Sequence, residues 1–167
     1  KKNLVLLGMM GSGKSTIGSL ISKKLNINFI DIDNIIEKNT NMKIAEIFKK
    51  KGKIFFRNLE EKITIKLLNT SNNVISLGGG GFMNEKIRKE VITNNISFWL
   101  NWDIPTLLNR IKKSKKRPIA FNLSNNELIE LITKRSKIYS RAKFKINCHK
   151  LTKTEIIMKI VKLYEYN

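Results

Sequence analysis

The 167-residue chain is 41% hydrophobic and 28% charged, which predicts one globular domain, residues 1–167, rather than a disordered or fibrous protein. No apolar run approaches the roughly 20 residues that span a bilayer, so the sequence excludes a transmembrane protein. The single cysteine, Cys148, cannot form an internal disulfide. Since no targeting segment is apparent either, we expect a reducing, cytoplasmic location.

The charge balance is strongly basic: 33 Lys and Arg residues against 13 Asp and Glu residues give a formal net charge of +20. Such an excess suits nucleic acid, an anionic membrane surface or small anionic substrates. However, only six of these cations are Arg, and the chain is also rich in Ile and Asn, which like Lys have AT-rich codons. We therefore attribute most of the charge to codon bias on a solvated surface. We expect no membrane partner and no specific nucleic-acid partner.

Hydrophobic patterning predicts strands that alternate with helices from the first residues onward. Residues 4–7 form a continuous apolar run, typical of a strand buried on both faces of a parallel sheet. A helix with one apolar face is predicted at 14–25. The other elements predicted in this half are a strand at 29–33, helices at 44–48 and 54–68 that are interrupted at Gly52, and a strand at 74–77.

The second half continues the alternation. Its predicted helices are 85–93, about 105–112, 124–139 and 155–164, and its strands are 96–100 and 144–147. Ser124 followed three residues later by Glu127 is the pattern of a capping box at a helix start. Strands separated by helices imply right-handed crossovers, and hence a parallel α/β sheet.

The segment GMMGSGKS at residues 8–15 fits the phosphate-loop pattern G-x-x-x-x-G-K-[ST]. Glycines let the backbone curl so that successive N–H groups face a polyphosphate, and the following helix adds the positive end of its dipole. Lys14 would then reach the β- and γ-phosphates, and the Ser15 hydroxyl would bind Mg²⁺. Because a strand precedes this loop and a helix follows it, a nucleoside triphosphate site is favoured over an incidental glycine-rich turn.

Two carboxylates, Asp31 and Asp33, lie at the carboxyl end of the second predicted strand. Residues two apart on a strand point to the same face, and this end of a parallel sheet opens onto the ligand crevice. The pair is therefore suited to hold Mg²⁺ through water and to accept a proton from an attacking hydroxyl. The alternative is that Asp33 caps a helix and Asp31 lies on the surface.

In a chain so rich in Lys, each Arg is weak evidence for bidentate binding of a carboxylate or phosphate, which Lys cannot supply. Arg117 and Arg110 are candidates to clamp ATP, and Arg57 and Arg135 are candidates to hold an acidic acceptor. A surface role is the alternative for each. Four glycines at 78–81 follow the third strand, where they allow close approach of the backbone to a ligand or simply form a flexible turn.

In their order and spacing, these motifs resemble those of the shikimate kinases, within the nucleoside monophosphate kinase-like P-loop family. The resembling segments are GMMGSGKSTIG at 8–18, FIDIDNIIE at 29–37, IAEIFKKKGKIFFRNLEE at 44–61, ISLGGGGF at 75–82, RP at 117–118 and RSKIY at 135–139. The resemblance implies a three-layer α/β/α sandwich with a mostly or fully parallel five-stranded sheet. It also implies a helical substrate-binding segment at 34–69 and a lid loop at 112–123.

The resemblance further implies an activity, transfer of the γ-phosphoryl group of ATP to the 3-hydroxyl of shikimate, on the route to chorismate and the aromatic amino acids. The implied nucleotide-binding residues are Gly11, Ser12, Gly13, Lys14, Ser15, Thr16, Arg110 and Arg117, and the implied Mg²⁺ ligands are Ser15 and Asp31. Shikimate would be bound by Asp33, Arg57, Gly78, Gly79, Gly80 and Arg135. Lys14, Asp33 and Arg117 would be the catalytic residues, with Asp33 as the candidate base. We expect a monomer for a chain of this size.

The sequence departs from the family pattern in two places. Lys53 follows Gly52 where the family often has Glu, and the segment after Tyr139 is about one residue short, so the late adenine-loop residue near Lys150 has no secure position. Three alternatives remain at this point: a gluconate or nucleotide kinase, a nucleic-acid-binding protein that relies on the +20 charge, and a regulatory pseudokinase.

Overall fold

The computed structural model describes residues 1–114 and 122–167. Five strands form one sheet in the order β2-β3-β1-β4-β5, and every pairing is parallel. The strands are β1 Leu4–Leu7, β2 Asn28–Asp31, β3 Asn73–Ser76, β4 Ile96–Asn101 and β5 Phe144–Asn147. The α/β prediction is confirmed, and the sheet is fully parallel.

Helices connect the strands and cover both faces of the sheet. They are α1 Lys14–Leu25, α2 Ile32–Thr40, α3 Ile44–Leu68, α4 Glu85–Asn94, α5 Ile104–Lys113, α6 Asn125–Tyr139 and α7 Lys153–Glu165. A short 3₁₀ turn, Gly81–Met83, precedes α4. No helix in the described ranges, 1–114 and 122–167, has the length and apolar character needed to cross a membrane.

The central strand β1 separates two hydrophobic clusters, because successive side chains on a strand point to opposite faces. Val5 and Leu7 belong to the cluster on the face covered by α2 to α6, while Leu4 and Leu6 belong to the cluster covered by α1 and α7. All four side chains are almost fully buried. The continuous apolar run in β1 thus reflects helices on both sides of the sheet, which is the three-layer sandwich that the family resemblance implied.

Most of the predicted boundaries agree with the structure to within two residues. The capping box is present, since Ser124 Oγ accepts a hydrogen bond from Glu127 N while Glu127 reaches back to Ser124 N. The break in the third helix is also confirmed: Gly52 has φ 87° and ψ 170°, and helical backbone continues on either side. At that φ an L side chain would be strained, so the kink depends on glycine.

One prediction is wrong at the end of the second strand. The sequence was interpreted as a strand through Asp33, whereas β2 ends at Asp31 and α2 begins at Ile32. Asp31 is the N-cap of α2, with its carboxylate accepting a hydrogen bond from Asn34 N at 3.2 Å. The strand was predicted too long because an apolar Ile between two Asp residues fits both a strand and the first turn of a capped helix.

Candidate active site

The phosphate loop follows β1 and leads directly into α1. Its backbone has positive φ at three glycines, 147° at Gly8, 82° at Gly11 and 88° at Gly13, where Gly13 is also the N-cap of α1. A Cβ on Gly8 would lie only 3.0 Å from the Leu100 carbonyl oxygen. The curl of the loop therefore depends on glycine, and it directs the N-terminus of α1 towards the carboxyl edge of the sheet.

Lys14 is the first residue of α1, and its ammonium group lies within the loop. The Nζ atom donates hydrogen bonds to the carbonyl oxygens of Gly8 at 2.8 Å and Met9 at 3.0 Å. The side chain is largely buried. A positive charge is thus held beside the helix N-terminus, where both features favour binding of a polyphosphate.

Two residues beyond β4 brace the phosphate loop from the side. The Trp102 indole Nε1–H donates to the Ser12 carbonyl oxygen at 2.9 Å, and Arg110 Nη1 donates to the Gly11 carbonyl oxygen at 3.3 Å. The Arg110 guanidinium also stacks on the Trp102 ring, 3.9 Å from its centroid. Arg110 is therefore next to the phosphate loop, and its stacking partner Trp102 contacts the same loop.

Ser15 and Asp31 form an oxygen-rich pair beside the loop. The Ser15 hydroxyl donates to Asp31 Oδ2 at 2.5 Å, which joins the first turn of α1 to the end of β2. A hydroxyl and a carboxylate are hard oxygen ligands of the type that Mg²⁺ prefers. Within residues 1–114 and 122–167, no three His, Cys, Asp or Glu side chains are grouped to hold a metal ion. The pair thus fits a Mg²⁺ ion that takes its other ligands from phosphates and water.

Asp33 lies in the first turn of α2, not on the strand with Asp31, and its carboxyl group faces the glycine turn after β3. A Cβ on Gly78 would lie 2.7 Å from Asp33 Oδ1. Burial, reinforced by the nearby charges of Asp31 and Glu60 and opposed by that of Lys14, raises the pKa of Asp33 to about 6. A carboxyl group with such a pKa is a good candidate for accepting a proton near neutral pH.

Arg57 and Glu60 form an ion pair on the second half of α3. Arg57 Nη1 donates to Glu60 Oε2 at 2.6 Å, and the Glu60 side chain is 2% exposed while that of Arg57 is 28% exposed. Burial raises the pKa of Glu60, and the Arg57 charge opposes this shift. The buried carboxylate thus orients a guanidinium that remains partly open to a ligand.

The three glycines after β3 bring the charged side chains together. A Cβ on Gly78 would meet Glu60 as well as Asp33, one on Gly79 would lie 3.5 Å from Arg135 Nη1, and one on Gly80 would lie 2.5 Å from Arg57 Nη2. The same Gly79 Cβ would be 3.4 Å from Met10 N in the phosphate loop. Gly78 and Gly80 thus leave room for the ends of the Asp33, Glu60 and Arg57 side chains, so the turn brings two guanidinium groups and two carboxyl groups next to the phosphate loop.

Arg135 and Tyr139 reach the site from α6, where they lie one helical turn apart. Both are buried, and Met9 Sδ in the phosphate loop is 4.0 Å from Arg135 Nη1 and 4.0 Å from the Tyr139 hydroxyl. The Tyr139 hydroxyl donates to the Gly79 carbonyl oxygen. Burial raises the pKa of Tyr139 to about 12, so the phenol keeps its proton at physiological pH.

Arg88, Cys148 and His149 lie outside this cluster. Arg117, predicted to close over ATP, lies outside the described residues. Arg88 donates to the carbonyl oxygens of Phe82 and Met83 and so supports the 3₁₀ turn. His149 is exposed and Cys148 is buried. The cleft of about 820 Å³ between α3 and α4 is lined mainly by Lys, Glu and Asn and contains none of the predicted site residues.

Three site residues were not assigned a role from the sequence: Glu60, Trp102 and Tyr139. Glu60 follows Arg57 by three positions and Tyr139 follows Arg135 by four, so each shares a helix face with a predicted ligand-binding Arg. That spacing is a signal the sequence offered. No local spacing predicts the role of Trp102, because its hydrogen-bond partner Ser12 is 90 positions away in the sequence.

Together, the parallel sheet and the phosphate loop define a P-loop nucleotide-binding protein. The family model described as Shikimate kinase matches residues 10–165. The chain belongs to the shikimate kinase family, and its activity is the ATP-dependent phosphorylation of shikimate. This confirms the resemblance found in the sequence.

Curated relatives support the same family over nearly the whole chain. The shikimate kinase of Thermodesulfovibrio yellowstonii is 38% identical over 98% of this chain and 95% of its own length. That of Persephonella marina is 38% identical over 96% of this chain and 97% of its own length.

Solved structures also superpose on this chain. A shikimate kinase from Acinetobacter baumannii in complex with shikimate has a TM-score of 0.92 at 28% identity, covering 99% of this chain and 94% of its own. The shikimate kinase of Aquifex aeolicus has a TM-score of 0.84 at 34% identity, covering 99% and 97%. A deoxyadenosine kinase from M. mycoides, 20% identical with a TM-score of 0.68, shares the fold.

Proposed function

We propose that the cluster around the glycine turn is the shikimate site and that the phosphate loop beside it binds ATP. The observation that carries this proposal is the convergence of Asp33, Arg57 and Arg135 on Gly78, Gly79 and Gly80, against the backbone of the phosphate loop. An acceptor bound there would present a hydroxyl to the terminal phosphate. The solved relative that binds shikimate supports this assignment.

On the acceptor side, Arg57 and Arg135 bind the shikimate carboxylate, since guanidinium groups bind carboxylates bidentately. Asp33 hydrogen-bonds the ring hydroxyls and accepts the proton of the attacking 3-hydroxyl. Glu60 keeps the Arg57 guanidinium in its orientation. The backbone of the three glycines contacts shikimate and the γ-phosphate.

On the nucleotide side, the backbone of Gly11, Ser12, Gly13, Lys14, Ser15 and Thr16 binds the phosphates. Lys14 and the N-terminus of α1 neutralise charge on the γ-phosphoryl group as it is transferred. Positioning of the two substrates relative to each other contributes the rest of the rate enhancement. Arg110 lies near the adenine, and Arg117 closes over ATP. The two roles remain predictions from the sequence, and Arg117 is additionally outside the described residues.

Ser15 and Asp31 would hold Mg²⁺, Asp31 through water. The ion would supply neutralisation of the phosphate charge. We further propose that residues 1–167 act as one kinase domain and a monomer in the cytoplasm, with residues 34–69 as the substrate-binding segment and 112–123 as the lid.

A coupled ADP-release assay with shikimate, gluconate and nucleoside monophosphates as acceptors tests the proposal. We expect turnover with shikimate alone; turnover only with gluconate or a nucleotide would refute it. Absence of turnover with every acceptor would favour a pseudokinase. Tight RNA or DNA binding with a steep salt dependence, without shikimate-dependent turnover, would favour the nucleic-acid alternative.

A further inference from the structure

One hydrogen bond links α6 to the glycine turn across 60 positions of sequence: the Tyr139 hydroxyl donates to the Gly79 carbonyl oxygen. Tyr139 is 1% exposed, and its ring packs against Trp99 and Phe82, with centroid separations of 6.0 Å and 6.5 Å. The phenol is therefore held in place by the core, and its hydroxyl points at one backbone group.

The position of that backbone group matters because the peptide unit is planar. The Gly79 carbonyl and the Gly80 N–H belong to the same peptide and point in opposite directions. Glycine on both sides gives this peptide more torsional freedom than any other residue pair would. A hydrogen bond that holds the carbonyl of Gly79 consequently sets the direction of the Gly80 N–H.

The Tyr139 hydroxyl also lies close to Arg135, on the proposed shikimate side of the site, and to Met9 in the phosphate loop. Arg135 lies one turn earlier on the same helix, and Met9 Sδ in the phosphate loop is 4.0 Å from both the Tyr139 hydroxyl and the Arg135 guanidinium. A Cβ on Gly79 would meet Met10 N and Arg135 Nη1. Gly79 is therefore packed between α6 and the phosphate loop, with Tyr139 holding its carbonyl.

We infer that Tyr139 is a positioning residue for phosphoryl transfer: its hydroxyl fixes the Gly79–Gly80 peptide so that the backbone presented to shikimate has one orientation. This inference rests on the proposed role of the glycine turn in binding shikimate. Burial keeps the phenol protonated, so it acts as a hydrogen-bond donor and takes no part in proton transfer.

The test is Tyr139→Phe, which keeps the ring and removes the hydroxyl. Tyr164→Phe is the matched control, because Tyr164 is equally buried and its hydroxyl donates to a backbone carbonyl, that of Lys2, at 2.6 Å and away from the site. Each variant loses one buried hydrogen bond, so similar drops in melting temperature are expected for the two. Wild-type turnover with shikimate, measured alongside, tests the site assignment separately.

We expect Tyr139→Phe to raise the KM for shikimate about five- to tenfold, as loss of one hydrogen bond to a binding element would. Its KM for ATP should change less than about twofold, and Tyr164→Phe should change neither constant. Equal kinetic constants for the two variants would overturn the inference and leave Tyr139 a structural residue, and so would equal rises in both KM values.

A second measurement does not depend on turnover. In ¹⁵N-labelled protein, Tyr139→Phe should shift the Gly80 amide resonance and Tyr164→Phe should not; an unmoved Gly80 amide would contradict the inference. If Tyr139→Phe unfolds under ordinary assay conditions, sucrose, which favours the folded state, allows the same kinetic comparison.

Discussion

Arg57 and Glu60 lie three positions apart on α3 and form an ion pair in which the carboxylate is buried and the guanidinium is partly exposed. Separating the pair would leave the buried Glu60 carboxylate as an uncompensated charge. The Arg57 guanidinium is therefore held in contact with Glu60. The Nη2 end of Arg57 lies against the glycine turn, since a Cβ on Gly80 would be 2.5 Å from it. The pair therefore presents a preoriented fork to an anionic ligand.

Arg57→Lys keeps the charge but removes the fork. We expect the KM for shikimate to rise at least about tenfold, since bidentate pairing is lost, with a much smaller change for ATP. Initial-rate kinetics with each substrate varied in turn provide the measurement. Arg88→Lys is the control, because Arg88 donates to the backbone carbonyls of Phe82 and Met83 in the 3₁₀ turn and is not among the predicted ligand-binding residues. Equal losses for both substrates in Arg57→Lys would contradict the role.

Asp33 should make both catalysis and stability depend on pH. Turnover requires the ionised carboxylate, so kcat/KM for shikimate should rise with pH through about 6. Asp33→Asn should reduce kcat at least about a hundredfold, because general base catalysis of that size is lost, while leaving ATP binding nearly intact. Near-normal turnover of the variant would exclude Asp33 as base or positioner.

The stability effect has the opposite sign. The folded-state pKa of about 6 lies above the ordinary value of 3.8, so the folded protein binds the proton more tightly than the unfolded chain does. The contribution of Asp33 to the free energy of unfolding is therefore greatest below pH 3.8 and is lost as the pH rises through 6. Urea unfolding of the wild type and of Asp33→Asn at several pH values measures this. A pH-independent difference between the two would contradict the raised pKa.

The Ser15–Asp31 pair makes a prediction about Mg²⁺. Asp31→Asn should raise the Mg²⁺ concentration needed for half-maximal activity about tenfold, because the ionised carboxylate that would hold the ion through water becomes a neutral amide. The control is Asp103→Asn, since Asp103 is likewise the N-cap of a helix and accepts from Thr106 N at 3.1 Å. Asn caps helices as well as Asp does, so both variants should fold. A Mg²⁺ requirement that is unchanged, or that rises equally in the control, would remove Asp31 as a ligand.

The brace on the phosphate loop is testable through Trp102. Trp102→Phe removes the hydrogen bond to Ser12 and weakens the Arg110 stack, so we expect a rise of about three- to tenfold in the KM for ATP, with that for shikimate unchanged. The chain has two Trp residues, and Trp99 is buried in the core. ADP should therefore change the fluorescence of the wild type but not that of Trp102→Phe. A persistent ADP-dependent signal in the variant would show that Trp102 does not sense the nucleotide.

A substitution at the amino ends of the strands, away from the active site, should change stability alone. Asn3 is buried, and its amide binds the Thr70 carbonyl, Asn95 Oδ1 and the Asn73 backbone N–H at 2.7, 2.8 and 3.1 Å. Asn3→Ala leaves these groups unpaired, and we expect the free energy of unfolding to fall by about 2–4 kcal/mol. The kinetic constants of the folded variant should be unchanged, because the active site lies at the carboxyl ends of the strands. A change in either KM would show that the two edges are coupled.

The sequence by itself determined the features that depend on neighbours along the chain. The phosphate loop follows from glycine torsions and a helix start within eight residues, and the break of α3 at Gly52 and the Ser124–Glu127 cap are equally local. The end of β2 could not be predicted in the same way. A strand ending at Asp33 and a helix capped by Asp31 both fit the local sequence, and the structure has the capped helix.

Only the tertiary structure decided which side chains meet. Tyr139 reaches Gly79, Trp102 reaches Ser12 and Met9 reaches Arg135 across 60 to 126 positions. Those separations are closed by the register of the parallel strands and the packing of α6, which spacing along the chain does not encode. The family motifs predicted the ligand-binding residues, and the three-dimensional packing revealed the side chains that contact them.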